Sequence, residues 1–338
     1  MNTKEEILTR LRQTEGYLSG EQLSETLGVS RAAVWKAITA LRESGYAIDS
    51  ATNRGYRLTA SPDVLTPEEI RCGLHTRAIG KNIVALQEVD STNEEAKRQA
   101  QCGAPDGSVF LAERQTGGKG RLGRTWESPA GTVIWFSVLL RPSLVPSEIS
   151  SITLLAGIAV CRGIRSVTGC AAKLKWPNDV VIGSRKVCGI LTEMAAEIDR
   201  VEYVVLGIGI NANTEAFPAE LAEKATSLRI EAGSAFPRAA ILRAVLKELE
   251  SLLLNAKAGS AFQEILDEYK FLCVSLNRRV GFFWNGEQQT GMAVDVSPSG
   301  ELIVERDGGG RISINAGEVV VQGIYGEHLP NPEGSKRA

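Results

Sequence analysis

The sequence predicts a multidomain protein with three parts: an N-terminal winged helix-turn-helix, a central α+β domain with a mixed, mostly antiparallel sheet, and a small C-terminal SH3-like β-barrel. Three patterns indicate this arrangement. Two amphipathic helical patterns and a hairpin pattern occupy residues 1–60. Strand patterns then follow one another too often for a regular βαβ alternation. Short strand patterns separated by glycine-containing turns fill residues 279–321.

The N-terminal part contains two helical patterns joined by a turn. Leu23 and Leu27 lie four residues apart, and Gly28-Val29-Ser30 then interrupts the apolar repeat. Ser30 is a suitable N-cap for a second helix. The apolar stripe of that helix consists of Val34, Ala37, Ile38 and Leu41. Residues 46–59 follow as a hairpin pattern with a turn at Asn53-Arg54-Gly55, which predicts a wing.

This order of elements predicts DNA binding through the second helix and the wing. Residues 1–60 carry eight basic and seven acidic side chains, so bulk charge gives little support. A small helical module used for packing or dimerisation therefore stays open as an alternative. The residues predicted to contact DNA are Gly20, Glu21, Gln22, Ser30, Arg31, Ala32, Trp35, Lys36, Thr39 and Arg54.

A domain boundary is predicted near residue 62. Residues 59–70 have the Pro and Asp content of a linker, and they end in a helix start with Thr66 as N-cap, Pro67 at the first helical position and Glu69 at the capping-box position. The predicted domains span residues 1–62, 66–272 and 273–326.

The central domain mixes strand and helix patterns irregularly. Strands are predicted at 82–89, 109–115, 132–141, 172–176, 179–183, 186–194 and 202–213, and helices at 90–100, 151–167, 238–256 and 261–272.

Composition limits the classes of function. The net charge is −2 and the isoelectric point is about 6.0, so any binding of anions must be local. No apolar run is expected to be long enough to span a bilayer, and the N-terminus is charged and lacks a signal-peptide core. Six cysteines without a C-x-x-C pair, beside two histidines, argue against a zinc site and for reduced thiols in a cytoplasmic protein. No metal-ligating residues are predicted.

The segment 117–129, GGKGRLGRTWESP, is the first that suggests chemistry. Glycines allow backbone N–H groups to approach a ligand, and the interleaved basic residues attract a phosphate or carboxylate. A plain solvent loop remains the alternative. The spacing differs from a Walker A motif because no Lys-Ser/Thr pair and no helix follow.

Three further segments have both plain and functional interpretations. Pro177-Asn178-Asp179 forms an ordinary turn pattern, followed by Lys186, which could be a solvated lysine. Residues 207–213, GIGINAN, lack the third glycine of a dinucleotide fingerprint and better suit a sheet trimmed for a flat ligand. Residues 90–93, DSTN, suit a helix cap, although hydroxyls at a helix N-terminus also hold polar ligand atoms.

Taken together, these segments resemble the biotin–protein ligases, and specifically the bifunctional bacterial type that is both biotin ligase and repressor of the biotin operon. The string G-(R/K)-G-R-x-G-R-x-W is highly specific, and the match covers nearly the whole chain. The matching residues are Ser91-Thr92-Asn93, Gln115, residues 118–124 with Trp126, residues 175–179, Lys186-x-x-Gly189, Gly207-x-Gly209-x-Asn211 and residues 225–228. Lys119 departs conservatively from an arginine, and Ala225 stands where some members carry an adenine-stacking tryptophan.

The resemblance implies two half-reactions, in which biotin and ATP give biotinyl-5′-adenylate and pyrophosphate, and a lysine of the biotin carboxyl carrier protein then takes the biotinyl group. It implies Arg121 and Lys186 as catalytic residues and Mg²⁺ as a further cofactor. The implied biotin-binding residues are Ser91, Thr92, Asn93, Gln115, Lys119, Gly120, Arg121, Lys186, Gly189 and Gly207. The implied ATP- or adenylate-binding residues are Gly118, Lys119, Arg121, Arg124, Trp126, Asn178, Asp179 and Asn211.

The resemblance also implies regulation. If the adenylate orders the glycine-rich loop and the ordered loop supplies a dimer surface, a homodimer would present two winged helices to biotin operator DNA. Three alternatives remain open: a lipoate–protein ligase, a winged-helix regulator that senses biotin without catalysis, and a ligase without repressor activity.

Overall fold

A computed structural model describes residues 3–120, 130–197, 199–257, 262–315, 317 and 319–329. The chain divides into two compact units, Met1–His75 and Thr76–Ala338.

The first unit contains the predicted helix-turn-helix. Helices α1 (Thr3–Gln13), α2 (Gly20–Leu27) and α3 (Arg31–Glu43) pack around one apolar cluster. The predicted stripe of α3 is buried in that cluster. Ser30 caps α3 by accepting a hydrogen bond from the Ala33 N–H at 3.2 Å, as predicted. A short helix, α4 (Pro67–Arg71), ends the unit, and Thr66 caps it.

The predicted wing is an antiparallel hairpin of β1 (Ala47–Ala51) and β2 (Gly55–Ala60). Gly55 has a φ of +102°, and a Cβ there would lie 2.0 Å from the Leu18 carbonyl oxygen. Leu18 and Tyr56 exchange two backbone hydrogen bonds of 2.8 Å. Glycine at 55 is therefore required for the wing to dock on the segment between α1 and α2.

The second unit is built on a seven-stranded sheet. Its strands are β3 (Ile83–Val89), β4 (Val109–Gln115), β5 (Val133–Leu140), β6 (Lys173–Lys175), β7 (Asp179–Ile182), β8 (Arg185–Ala196) and β9 (Val201–Asn211). Their order is β3-β4-β5-β9-β8-β7-β6, with β3 and β4 parallel and the remaining neighbours antiparallel. The prediction of a mixed, mostly antiparallel sheet is confirmed.

Helices cover this sheet. The helix α5 (Thr92–Gln101) packs on β4, β5 and β9. The long helix α6 (Ile149–Thr168) packs on β6, β7 and β8, and against α8 (Arg238–Lys257) and α9 (Phe262–Leu272). A short helix, α7 (Leu228–Ala232), follows β9. All eight residues of β5 are buried, as expected for a central strand.

Helix α6 is 20 residues long, and its apolar window has a mean hydropathy of 1.3. By length and composition this helix could cross a membrane. The prediction that no apolar run has this length was therefore wrong. Of the apolar window, 61% is buried inside the protein, because the helix packs between the sheet and two other helices.

The C-terminal part is a five-stranded antiparallel sheet. Its strands are β10 (Arg278–Trp284), β11 (Glu287–Val296), β12 (Leu302–Arg306), β13 (Arg311–Ile314) and β14 (Val320–Val321), in the order β13-β12-β11-β10-β14. Among the described residues this sheet stays open, with β13 at one edge and β14 at the other. The structure thus confirms the antiparallel β domain and leaves the SH3-like barrel as a prediction.

Candidate functional site

A pocket on the seven-stranded sheet brings together residues that are far apart in sequence. Its lining consists of Ser91, Thr92, Asn93, Gln115, Lys119, Gly120, Trp135, Asn178, Lys186, Gly189, Ile190, Leu191, Gly207, Ile208 and Gly209. All nine predicted biotin-binding residues within the described part of the chain lie in this lining. The tenth, Arg121, lies outside the described residues, as do Arg124 and Trp126.

The start of α5 forms one wall of the pocket. The Thr92 N–H donates to Gln115 Oε1 at 2.7 Å, and the Thr92 hydroxyl lies 3.2 Å from the same oxygen. Ser91 is the N-cap residue, yet its hydroxyl makes no capping hydrogen bond. Ser91 therefore has the extended backbone conformation of the predicted N-cap, but its hydroxyl does not cap the helix and can bind a ligand.

A buried hydrogen-bond network supports this wall. Ser137 on β5 donates from Oγ to Asn93 Oδ1 at 2.6 Å, and its Oγ lies 2.8 Å from Thr92 Oγ1. Asn93 donates from Nδ2 to Glu193 Oε2 at 2.7 Å. Because both ends of the Asn93 amide are fixed, its orientation is determined by the protein. The sequence analysis missed Ser137 and Glu193.

The glycines of β9 allow side chains to approach the sheet closely. A Cβ at Gly207 would lie 2.1 Å from Asn93 Oδ1, and a Cβ at Gly209 would lie 2.6 Å from the Trp135 ring. Both glycines line the pocket, as expected, but the atoms that occupy the trimmed space belong to Asn93 and Trp135. That a flat ligand lies against this strand stays a prediction. Trp135, itself part of the lining, was also missed from the sequence.

The first part of the glycine-rich loop reaches the pocket through Lys119 and Gly120, while Gly118 is buried beside it. The Lys119 side chain is 59% exposed, and its Nζ lies 2.8 Å from Glu94 Oε1. The hydrogen bond from Lys119 is the largest of several effects that lower the pKa of Glu94. Lys119 is therefore held by an acidic residue at the start of α5 in this structure.

Lys186, at the start of β8, also lines the pocket. Its backbone N–H donates to the Lys224 carbonyl at 2.7 Å, and its carbonyl accepts from the Thr226 N–H at 2.8 Å. Its Nζ lies 2.6 Å from Asp179 Oδ1, and the two side chains are 23% and 13% exposed. Burial acts to raise the pKa of Asp179, but the charges of Lys186 and Lys175, with hydrogen bonds from Lys186 and Tyr325, lower it overall. A carboxylate and an ammonium group thus face each other at the pocket.

Two asparagines lie beside this ion pair. Asn178 lines the pocket and donates from Nδ2 to the Ile190 carbonyl at 2.8 Å. Asn211 donates from Nδ2 to the Thr226 carbonyl at 3.1 Å, while its buried Oδ1 accepts no hydrogen bond from the described residues. An unpaired buried acceptor is costly unless a ligand or water pairs with it. Asn211 Oδ1 is therefore suited to a ligand donor group.

The described residues contain no group of three or more His, Cys, Asp or Glu side chains arranged to hold a metal ion.

The first unit offers a separate candidate surface for DNA. All ten predicted DNA-contacting residues are exposed or half-buried, and the Trp35 side chain on α3 is 61% exposed. Gln22 accepts from the Ser19 N–H at 3.1 Å and so caps α2. Arg31 and Glu21 form an exposed ion pair of 2.5 Å. Some of the predicted residues thus also have local structural partners.

The wing adds aromatic contacts to this surface. The guanidinium carbon of Arg54 lies 4.6 Å from the centroid of the Tyr17 ring, and that of Arg57 lies 4.9 Å from it. Stacking on Tyr17 limits the freedom of one arginine at the wing turn and one in β2.

Three family models match the chain. Residues 3–57 match a model described as an HTH domain, residues 85–211 match the Biotin/lipoate A/B protein ligase family, and residues 276–321 match the Biotin protein ligase C terminal domain.

Relatives resemble the chain over most of its length. A protein of Bacillus spizizenii named Bifunctional ligase/repressor BirA is 38% identical, covering 87% of this chain and 90% of the relative. The protein of the same name from Escherichia coli is 30% identical, covering 89% of this chain and 94% of the relative. A solved structure of the biotin protein ligase from Aquifex aeolicus in complex with biotin and ATP is 31% identical, with a TM-score of 0.61. That match covers 72% of this chain and 99% of the solved one.

Proposed function

The chain belongs to the biotin–protein ligase family, as a member of its bifunctional ligase/repressor type, and we propose how its residues divide the work of ligation and repression. The enzyme is an ATP-dependent biotin–protein ligase, which forms biotinyl-5′-adenylate and then biotinylates a carrier protein. The same chain is a transcriptional repressor with a DNA-binding N-terminal domain.

The chemistry needs charge neutralisation more than acid–base catalysis. In the first step the biotin carboxylate oxygen attacks the α-phosphorus of ATP, and the bond to the β-phosphate oxygen breaks to release pyrophosphate. In the second step the lysine amine of the carrier attacks the carbonyl of the anhydride, loses a proton and displaces AMP. The first step brings two anions together, so positive charge at the meeting point lowers the barrier.

Lys186 is assigned to that point. It lines the pocket, and its pairing with Asp179 keeps it in place before substrate binds. Ser91, Thr92, Asn93 and Gln115 hold the fused rings of biotin, with Gly189 and Gly207 beneath them. Asn178, Asp179 and Asn211 lie on the nucleotide side.

The glycine-rich loop supplies the remaining charge in this proposal. Arg121 joins Lys186 at the biotin carboxylate and α-phosphate, while Gly118, Lys119, Gly120, Arg124 and Trp126 bind the other phosphates and adenylate or order the loop. Mg²⁺ would enter with ATP and would supply further positive charge beside the phosphates, because Mg²⁺ prefers oxygen ligands and retains waters. Lys119 must leave Glu94 to take part.

The observation that carries this proposal is the gathering of nine predicted residues from five chain segments around one pocket, one of which, Lys186, is paired with Asp179. The test is incubation with biotin, ATP, Mg²⁺ and a carrier domain, with biotin incorporation and pyrophosphate release measured together. Lys186→Met should abolish both signals, while Lys173→Met, which changes an exposed lysine on β6, should leave them intact. Biotin binding by the wild type without pyrophosphate release would instead support a non-catalytic sensor.

Repression is proposed to depend on the adenylate through a homodimer. The supporting feature is a winged helix-turn-helix with an exposed recognition helix, which as a dimer would match a two-half-site operator. Sedimentation with and without biotin plus ATP should show adenylate-dependent dimerisation. In a gel shift, upstream DNA of biotin genes should be retarded when adenylate is present. If an active ligase caused no retardation, ligation alone would remain as the function.

Finer features of architecture belong to the same proposal. We assign the domains to residues 1–62, 66–272 and 273–326, and the C-terminal sheet to an SH3-like barrel. The carrier protein supplies the acceptor lysine, operator DNA is the second macromolecular partner, and the cytoplasm, where all these partners occur, is the proposed location.

A further inference from the structure

The segment after β14 turns back toward the ligand pocket. Tyr325 lies in this turn with a φ of +61°. The left-handed region is strained for a residue other than glycine. The Tyr325 N–H donates to the Ser184 carbonyl at 2.9 Å, which fixes this backbone conformation at the turn between β7 and β8. A glycine would adopt the same conformation without strain, so the tyrosine points to a use for its side chain.

The Tyr325 side chain reaches the ion pair at the pocket. Its hydroxyl donates to Asp179 Oδ2 at 2.8 Å, while Asp179 Oδ1 lies 2.6 Å from Lys186 Nζ. The two oxygens of one carboxylate therefore have two different partners. Burial, followed by the charge of Asp179, raises the pKa of Tyr325, so the hydroxyl keeps its proton and remains a donor.

The ring of Tyr325 is also fixed. Lys175 Nζ lies 4.8 Å from the ring centroid and donates to the Val319 carbonyl at 3.2 Å. Lys175 is on β6 and is buried, so this contact joins the central sheet to the C-terminal sheet at the point where Tyr325 enters. The hydroxyl position is thus set by the backbone turn on one side and by a buried cation on the other.

We propose that Tyr325 is a positioning residue for adenylate formation: by binding Asp179 Oδ2, it directs Asp179 Oδ1 and thereby holds Lys186 Nζ at the pocket. This inference rests on the proposed function, in which Lys186 neutralises charge where the biotin carboxylate meets the α-phosphate. The C-terminal β domain then contributes to the reaction through one hydroxyl group.

Loss of the hydroxyl should affect rate more than binding. Without it, the Asp179 carboxylate is free to rotate and to present both oxygens to lysines, which displaces Lys186 Nζ from the reacting groups. The residues that hold the biotin rings, on α5 and β4, are untouched. Geometry lost at the reacting atoms lowers kcat, whereas ground-state binding of biotin is retained.

The test is Tyr325→Phe in the full-length protein, which keeps the ring over Lys175 and removes only the hydroxyl. We expect kcat for biotin-dependent pyrophosphate release to fall roughly tenfold, with the KM for biotin changed less than about twofold. Tyr203→Phe is the matched control, since Tyr203 is a buried tyrosine on β9 whose ring contacts Arg141 and which is outside the pocket lining. It should leave kcat unchanged.

A double-mutant cycle with Asp179→Ala, measured by single-turnover adenylate formation, identifies the route of the effect. If Tyr325 acts through Asp179, adding Tyr325→Phe to Asp179→Ala should cause no further loss. If the losses in the two variants were additive, or if Tyr325→Phe had the kcat of an active wild type, the inference about Tyr325 would be overturned and the proposed function would stand. A wild type that released no pyrophosphate would overturn the proposed function and this inference with it.

Discussion

Ser137 shows how one buried side chain can set the geometry of a ligand wall. It lies at 0% exposure in β5 and holds Asn93 while lying beside Thr92. Ser137→Ala would leave Asn93 Oδ1 without this donor, and an unsatisfied buried acceptor costs about 1–3 kcal/mol. We expect the Kd for biotin, measured by calorimetry, to rise roughly tenfold as the Asn93 amide loses its fixed orientation.

A matched control separates this effect from general loss of a buried serine. Ser108 is equally buried, directly before β4, and its hydroxyl donates to the Pro105 carbonyl at 2.7 Å, outside the pocket lining. Ser108→Ala should change thermal stability without changing biotin affinity. Equal affinity losses in both variants would show that Ser137 has no special connection with the pocket.

The residues of the site differed in how far the sequence revealed them. Gln115 and Lys186 could be assigned because they stand in motif strings that the family resemblance covers. Ser137 carried a weaker signal, a single hydroxyl inside the apolar run of β5, which a buried-polar criterion would have found. Tyr325 carried none, because its partner Asp179 is 146 residues away and no spacing rule relates the two.

At the scale of elements, the approach of α5 to β9 depends on Gly207. A Cβ at this position would lie 2.1 Å from Asn93 Oδ1, and Asn93 is itself tied to β5 and β8. Gly207→Ala must therefore displace the first turn of α5. We expect loss of measurable biotin binding by calorimetry together with a lower melting temperature. Gly308→Ala, where a Cβ has nothing within 4 Å, should change neither, and an unaffected Gly207→Ala would contradict the close packing.

Glu250 on α8 holds the chain that leads into β3. Its carboxylate accepts hydrogen bonds from the N–H groups of Arg77, Ala78 and Ile79, at 2.5, 2.7 and 3.0 Å. Burial acts to raise the pKa of Glu250, but these three donors lower it below its ordinary value of 4.5. The resulting stability is present above pH 4.5 and is lost as the pH falls through the lower folded-state pKa.

This linkage predicts a pH-dependent effect of Glu250→Gln. The variant should be less stable than the wild type by about 2 kcal/mol at pH 7, because it replaces charge-assisted hydrogen bonds. The difference should shrink below pH 4.5 as the wild-type carboxyl is protonated. Thermal unfolding across this range measures it, with Glu264→Gln on the exposed surface of α9 as the neutral control. A stability difference of the same size at every pH would contradict the linkage.

The bounds of the helices and strands were largely predictable, but whether the C-terminal sheet closes into a barrel was not. Short apolar runs rich in β-branched and aromatic residues placed β3, β4 and β5 within a residue or two of their observed bounds, because such composition is a local property of the sequence. Whether the C-terminal strands close into a barrel depends on contacts between β13 and β14 that no local pattern encodes. The bounds of α6 were also predicted to within two residues, at 151–167 against the observed Ile149–Thr168.

The whole molecule combines two compact units with separate chemistry, and this predicts an asymmetry between their variants. Lys36→Ala, on the exposed side of α3, should weaken operator binding in a gel shift and leave biotin incorporation unchanged, because it removes a cation available only to DNA phosphates. Lys173→Ala removes an exposed lysine from the other unit and should alter neither activity. Loss of ligation in Lys36→Ala would show that the two activities share residues.

A variant of the ligand pocket should lose both ligation and operator binding, because repression is proposed to respond to the product of the first half-reaction. Lys186→Met retains the DNA-binding unit unchanged, yet without adenylate it should not shift operator DNA in the presence of biotin and ATP. Preformed biotinyl-5′-adenylate, supplied at a concentration that saturates the variant, should restore the shift while biotin-dependent pyrophosphate release from ATP stays impaired. Adenylate binding and DNA binding are reciprocal if they are linked, so operator DNA should in turn tighten retention of the adenylate. A variant that binds operator equally with and without added adenylate would show that the ligand pocket does not govern repression.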